Sequence, residues 1–241
     1  YYFISGSGNK KSFSKINLLK ISKSLEQEQK KYGISLCGGD TTYSNKLSFT
    51  ITSLGYSKNI VFRNKVKSND DIYVTGNLGD SFIGLQILKN KYKFKKKVND
   101  YFIKKYFLPD IKIKLAKKLS KFANSSIDIS DGLISDLEKM LNNQDYSFVV
   151  SEHQIPISKH LKDLINDTKF KKYKLISNGD DYQVLFTADV NKSRIIEKTS
   201  KNLGIKITKI GKIISGKKKN ILIDQKGKQI LLKYKGYIHQ F

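Results

Sequence analysis

The sequence predicts a mixed helix-and-strand fold in two parts, residues 1–58 and 59–241. Three observations carry this. Segments with a strand period of two alternate with segments of helical period along the whole chain. A polar connection from Lys58 to Asn69 interrupts that alternation around Ile60-Val61-Phe62. The 241 residues suffice for one large domain or two smaller ones with a proper core.

Taken in order, Tyr1 to Ser5 reads as the tail of a strand and Gly6 to Lys11 as a loop. Phe13 to Tyr32 reads as an amphipathic helix, with Ile16, Leu19 or Lys20, and Leu25 turned to a core and Gly33 as its stop. Ile34 to Cys37 is expected to be a short buried strand leading into Gly38-Gly39-Asp40-Thr41-Thr42. The diglycine permits a tight turn or close approach of a ligand to the backbone. Asp40 would then be offered at the strand end, or would bond its own backbone in a hairpin turn. From Leu47 to Gly55, Leu47, Phe49 and Ile51 alternate with Ser48, Thr50 and Thr52, which predicts a strand with one buried and one polar face.

Beyond the connection, Asp71 to Thr75 is a strand, Gly76 to Gly79 a turn, and Asp80 the N-cap of a helix through Leu88. Such a turn either serves the fold or cradles phosphate on its amides. Lys89 to Lys97 reads as a solvated charge run, and Pro109 precedes a helix from Asp110 to Phe122. Tyr146 to Ser151 and Tyr182 to Thr187 are strands; Ser158 to Ile165 and Asn191 to Leu203 are helices. The remaining strands run to Tyr234-Lys235-Gly236-Tyr237. His153, His160 and His239 lack metal-ligand spacing and read as surface residues.

The formal charge is +25, which raises nucleic acid or an anionic membrane as a partner. Against nucleic acid, only Arg63 and Arg194 are arginines, and the lysines are scattered instead of gathered on one face. No apolar run approaches membrane-spanning length. Cys37 is the only cysteine, which excludes a disulfide framework and fits a reducing cytoplasm. The only methionine is Met140, so the chain is expected to be a fragment or processed product. Lysine is missing from Tyr32–Asn45, Ser68–Leu88, Phe122–Glu138 and Leu175–Asn191, windows that hold eleven of the 21 acidic residues. Buried strands would exclude lysine too, but acidic islands in a basic chain also suggest cation sites.

The sharpest such island is Ser126-Ile127-Asp128-Ile129-Ser130-Asp131-Gly132. Its alternation makes a strand that turns into a helix at Ser130-Asp131, because Leu133, Leu137 and Met140 follow at helical spacing. Two carboxylates roughly 5 Å apart repel by about 3 kcal/mol at an effective dielectric near 20, so both stay ionised when a cation lies between them. Oxygen ligands of this kind suit magnesium. The plain alternative is that Ser130 or Asp131 caps the helix.

Gly38-Gly39-Asp40-Thr41-Thr42, Tyr73-Val74-Thr75-Gly76, Asp128-Ile129-Ser130-Asp131-Gly132 and Asn178-Gly179-Asp180-Asp181-Tyr182 occur in this order. With the terminal Lys235-Gly236-Tyr237, they make the chain resemble the thiamine-monophosphate kinase family, within the superfamily of aminoimidazole ribonucleotide synthetase. The resemblance implies an α+β, two-domain synthetase-like fold: residues 1–58 as part of an N-terminal ATP- and metal-binding, dimerising domain, and 59–241 as a larger α+β domain. It implies magnesium-dependent transfer of the ATP γ-phosphate to thiamine monophosphate, and homodimers paired through N-terminal strands. It further implies Asp40, Asp128 and Asp131 as magnesium ligands, Gly39, Asp40, Arg63 and Ser130 at ATP, and Asp180 and Tyr237 at the substrate. Asp180 stands where the family has glutamate, and Asn178 where it has glycine. The family's N-terminal segment, with further metal-binding aspartates and a substrate-binding histidine, has no counterpart in these residues, so this chain alone is expected not to turn over. The other functions weighed are a different ATP-dependent synthetase of the superfamily and a basic nucleic-acid-binding module.

Overall fold

The computed structural model describes residues 1–142, 144–168, 170–232 and 236–237. Tyr234, Lys235 and His239 lie outside them. The chain divides into two compact units, Tyr1–Lys58 and Asn59–Phe241.

The first unit is a three-stranded sheet and one helix: β1 (Tyr2–Gly8), α1 (Lys15–Tyr32), β2 (Leu36–Tyr43) and β3 (Ser48–Ser53). β1 is central, parallel to β2 and antiparallel to β3. Ser14 caps α1 by accepting from the Asn17 amide, and Gly33 ends it at φ +62°. Three expectations fail here. The glycines at 6 and 8 belong to β1 and not to a loop. The diglycine lies within β2 and makes no turn; a Cβ on Gly39 would stand 1.7 Å from the Ile4 carbonyl oxygen, so glycine is needed where β2 runs against β1. The apolar stripes also find no core within the unit: no residue of α1 is buried, and Ile16, Leu19, Leu36, Phe49 and Ile51 are exposed. A three-stranded sheet with one helix offers too little surface to cover them.

The second unit is built on a mixed, largely antiparallel sheet of seven strands. They are β4 (Asp71–Thr75), β5 (Ala123–Asp128), β6 (Tyr146–Ser151), β7 (Val184–Ala188), β8 (Ile207–Ser215), β9 (Ile221–Ile223) and β10 (Gln229–Ile230). Their order is β10-β9-β6-β8-β4-β7-β5. The pleat decides where side chains go. Ile72, Val74 and Leu185 enter a core beneath α5 (Leu133–Leu141) with Leu133, Leu137, Met140 and Phe148. Tyr73 and Phe186 point the other way, stacked with ring centroids 5.2 Å apart, against α4 (Ile113–Leu119) and α8 (Ser193–Leu203). The sheet is thus covered on both faces, which is why β4 is buried throughout. A third cluster joins α2 (Asp80–Leu88), α3 (Lys96–Phe107), α6 (Lys159–Asp167) and α7 (Lys172–Ile176) around Ile83, Phe102, Leu161 and Leu175.

Two boundaries differ from expectation. The supposed charge run ends in α3, whose lysines face outward while Phe102 is buried. α4 begins four residues after Pro109 and is shorter than the spacing implied. Among the described residues, no helix is long and apolar enough to cross a membrane.

Candidate functional site

The motif of residues 126–132 is a strand running into a helix, and the joint is held by a side chain that the sequence reading passed over. β5 ends at Asp128, which is exposed, while Ile129 is fully buried beneath it. Gly132 occupies the N-cap of α5 at φ +124°, and no side chain caps the helix there. Neither Ser130 nor Asp131 is therefore the cap. The role falls to Asp136, fully buried on the first turn of α5. Its Oδ2 accepts from the backbone amides of Ser130 (3.0 Å), Asp131 (2.9 Å) and Gly132 (3.1 Å). A carboxylate collecting three amides at a helix N-terminus satisfies orphan donors and opposes the positive end of the helix dipole. Its Oδ1 accepts from Lys139 Nζ at 2.7 Å, and the same ammonium donates to the Asp131 carboxylate. Burial works against the Lys139 charge, but its bonds to Asp131 and Asp136 outweigh that and hold its pKa above the usual lysine value.

A second loop, Ser177 to Gln183 between α7 and β7, runs against the first. It continues the pairing of β5 with β7: Ile129 N donates to Gln183 O (2.9 Å), Tyr182 N to Ile129 O (2.9 Å) and Asp180 N to Ser130 O (3.0 Å). The approach requires glycine, since a Cβ on Gly179 would lie 1.8 Å from the Ser130 carbonyl oxygen. Asp180 (φ +67°) and Tyr182 (φ +48°) both adopt the left-handed conformation, unusual for non-glycine residues and concentrated in one turn. Between them the buried Asp181 turns inward and accepts from the Gly79 amide at 2.8 Å, tying this loop to the start of α2. Burial pushes the Asp181 carboxyl up to about 8; the nearby Asp80 adds to this, while bonds from Gly79 and Ser81 oppose it.

The chain comes back to the same place near its end. Tyr237 N donates to the Asp131 carbonyl at 2.8 Å, and Gly236 packs so tightly that a Cβ would stand 2.4 Å from Ser135 Cβ. One locality thus holds Asp128, Ser130, Asp131, Asp180 and Tyr237. The charges feel one another: burial raises the Asp180 pKa and the negative charge of Asp131 adds to it, against Lys89 and a bond from Tyr182. The Tyr182 phenol is raised by burial and then by Asp180, Asp128, Tyr106 and Asp131. An acidic surface of this kind can hold a cation and orient phosphate oxygens.

The remaining candidates lie elsewhere. Arg63 is exposed in the stretch beside β5, and its carbonyl accepts from the Ser125 hydroxyl. Gly39 and Asp40 belong to the first unit, where Asp40 is exposed and its Oδ1 accepts from the Thr41 amide at 2.7 Å.

The turn from Gly76 to Gly79 serves the fold, with three of its four amides spent: Gly76 on Lys206 O, Leu78 on Pro156 O and Gly79 on Asp181. Asp80 is the first residue of α2 and not its N-cap; its carboxylate accepts from Tyr101 (2.8 Å) and Ser158 (2.7 Å). His160 is half-buried and stacked on Tyr101, with centroids 3.8 Å apart. Of the eleven acids in the lysine-free windows, Asp70, Asp71, Asp80, Asp136 and Asp181 are buried. They hold loops and strands together, so the islands are partly structural. The signal for Asp136 was present: it falls at the apolar spacing of α5, between Leu133 and Met140, where an acid must find partners.

No protein-family model matches the chain. It is 39% identical over 225 residues to a thiamine-monophosphate kinase of Buchnera aphidicola subsp. Schizaphis graminum, covering 92% of this chain and 69% of that one. The structure superimposes on the thiamine monophosphate kinase of Aquifex aeolicus with a TM-score of 0.78 at 23% identity, over 95% of this chain and 74% of that one. A further solved structure, AaThiL complexed with AMPPCP and TMP, gives a TM-score of 0.79 at 22% identity, over 98% and 73%.

Proposed function

The chain belongs to the thiamine-monophosphate kinase family, and on that premise we propose that it transfers the terminal phosphate of ATP to thiamine monophosphate, giving thiamine diphosphate and ADP. The reaction joins two phosphates. Its nucleophile is an oxygen already anionic at neutral pH, so no side chain need remove a proton; what must be supplied is alignment and neutralisation of charge.

The single observation that carries the reading to these residues is the meeting of Asp128, Asp131 and Asp180 on two interlocked loops without a histidine among them. Asp128 and Asp131 have the donor chemistry for magnesium, being hard oxygens at one strand-to-helix joint. Among the described residues, no three acidic, histidine or cysteine side chains gather tightly enough to cage a metal. Bound at Asp128 and Asp131, magnesium would draw charge from the phosphates and clamp them in line.

The chain's own groups do the rest. Asp136 holds the loop amides so that Asp131 and Ser130 face outward together, with Ser130 beside the nucleotide. Asp180, fixed by its amide on the Ser130 carbonyl, and the exposed Tyr237 contact thiamine monophosphate. Arg63, Gly39 and Asp40 serve ATP, and Asp40 a further magnesium ion. The protein acts as a homodimer through the sheet of residues 1–58, whose Phe3, Leu36, Phe49 and Ile51 are exposed, in a reducing cytoplasm consistent with one cysteine. Incubation of the full-length protein with magnesium, ATP and thiamine monophosphate tests the reading: thiamine diphosphate is the expected product, and hydrolysis of ATP without it would refute the assignment.

A further inference from the structure

Lys139 is the first lysine after the acid-rich window of residues 122–138, and it bridges two carboxylates of unlike standing. Asp136 is permanent: fully buried, with Oδ2 committed to three amides and only Oδ1, 2.7 Å from Lys139 Nζ, left for the ammonium. Asp131 is its opposite, partly exposed on the acidic surface with Asp128 and Asp180. The lysine side chain is itself about a third exposed, 37%. If the ammonium leaves Asp131 it keeps Asp136, so it need not return to bulk water without a partner, and its release from the site is cheap.

We propose that Lys139 is a built-in counter-ion of Asp131, and that a divalent cation binding at Asp128 and Asp131 does so by exchange against it. Lys139 holds the Asp131 carboxylate in place and keeps three neighbouring acids from repelling one another while no dication is bound. It turns back to Asp136 alone when one arrives. The inference rests on the metal reading above, and adds to it a side chain given no role there. The same residue lowers the affinity of the site for its cation, since an ammonium competes for the carboxylate.

Two measurements on the full chain test this. Mn2+ binding, followed by the loss of the free-ion paramagnetic resonance signal, is compared for the native protein, Lys139→Gln, Lys139→Arg and Lys89→Gln. Removing one positive charge beside a dication in a solvent-rich site is worth on the order of fivefold. Lys139→Gln is expected to bind tighter by about that factor, and Lys139→Arg to stay near native. Lys89→Gln, whose charge faces Asp180, should change affinity less. In the second measurement, the lysine side-chain methylene signals of the protein are followed by NMR through a Mg2+ titration. The signal that Lys139→Gln removes should move in step with saturation. Equal tightening in Lys139→Gln and Lys89→Gln would overturn the exchange, as would a Lys139 signal that stays fixed while Mg2+ binds. Binding that is lost in Asp131→Asn while Lys139 stays fixed refutes only this inference; binding indifferent to Asp131→Asn refutes the metal reading as well.

Discussion

Replacing Asp136 probes the joint on which the site is built. Its side chain satisfies the amides of residues 130, 131 and 132 and one arm of Lys139, with no exposure to solvent. A hydrogen bond to a charged group is worth about 1.5–3 kcal/mol. The three amide bonds share one oxygen and do not add fully. Deleting the carboxylate in Asp136→Ala leaves three amides without their acceptor, while Lys139, a third exposed and still paired with Asp131, adds little, so the loss should be about 2–3 kcal/mol. An ordinary N-cap is worth about 1 kcal/mol. Asp136→Asn keeps an acceptor oxygen for the amides and loses the charge, which should cost about 1–2 kcal/mol. Equilibrium urea unfolding by circular dichroism measures both, and amide hydrogen exchange at residues 130–132 locates the effect. If Asp136→Ala lies within ~1 kcal/mol of the native chain and those three amides exchange as before, the clamp is not what holds the loop.

Asp181 gives a pH test. Its carboxyl, pushed up to about 8 in the fold, ionises near 4 in the unfolded chain. Between those values the folded state binds more protons, so native stability falls as pH rises through that window, by at most ~1.4 kcal/mol per pH unit. Asp181→Asn removes that slope, and its advantage over the native protein in urea unfolding should grow from pH 5 to pH 8 (on the order of the same slope); a constant difference would contradict the buried protonated acid. Gly179→Ala, with its Cβ 1.8 Å from the Ser130 carbonyl, should disrupt the loop and abolish substrate binding in calorimetry. Gly33→Ala has open space around it and should cost only about 1 kcal/mol for its left-handed backbone; equal damage from both would refute the close-approach argument. Multi-angle light scattering checks the proposed homodimer, with Phe49→Lys expected to shift the mass toward a monomer and an unchanged dimer counting against the sheet interface.

Much of the second unit was legible because local and long-range demands agree there. β4 carries Ile72-Tyr73-Val74 before a glycine turn, and the motif at residues 126–132 changes period from two to helical within a few residues, as the fold does. α3 was hidden because its lysines mask Phe102. The diglycine misled for a different reason: glycine serves turns and close strand contacts alike, and only the position of Ile4 across the ladder decides between them. The site was read through its exposed acids. Asp181 escaped because its partner, the Gly79 amide, lies far off in the chain; Asp136 showed its burial in its spacing, but its amide partners, and the double bond of Lys139 to Asp131 and Asp136, depend on how the joint bends.

The most direct test of the central claim is the rate of thiamine diphosphate formation from ATP and thiamine monophosphate, measured against Mg2+ concentration for the full-length protein and for its Asp131→Asn variant. Loss of a group that stabilises transferring phosphate typically costs ~10²-fold or more. The account predicts a fall of that size at fixed Mg2+ and a shift of the Mg2+ dependence to higher concentration. An Asp131→Asn variant with native rate and native Mg2+ dependence would contradict it.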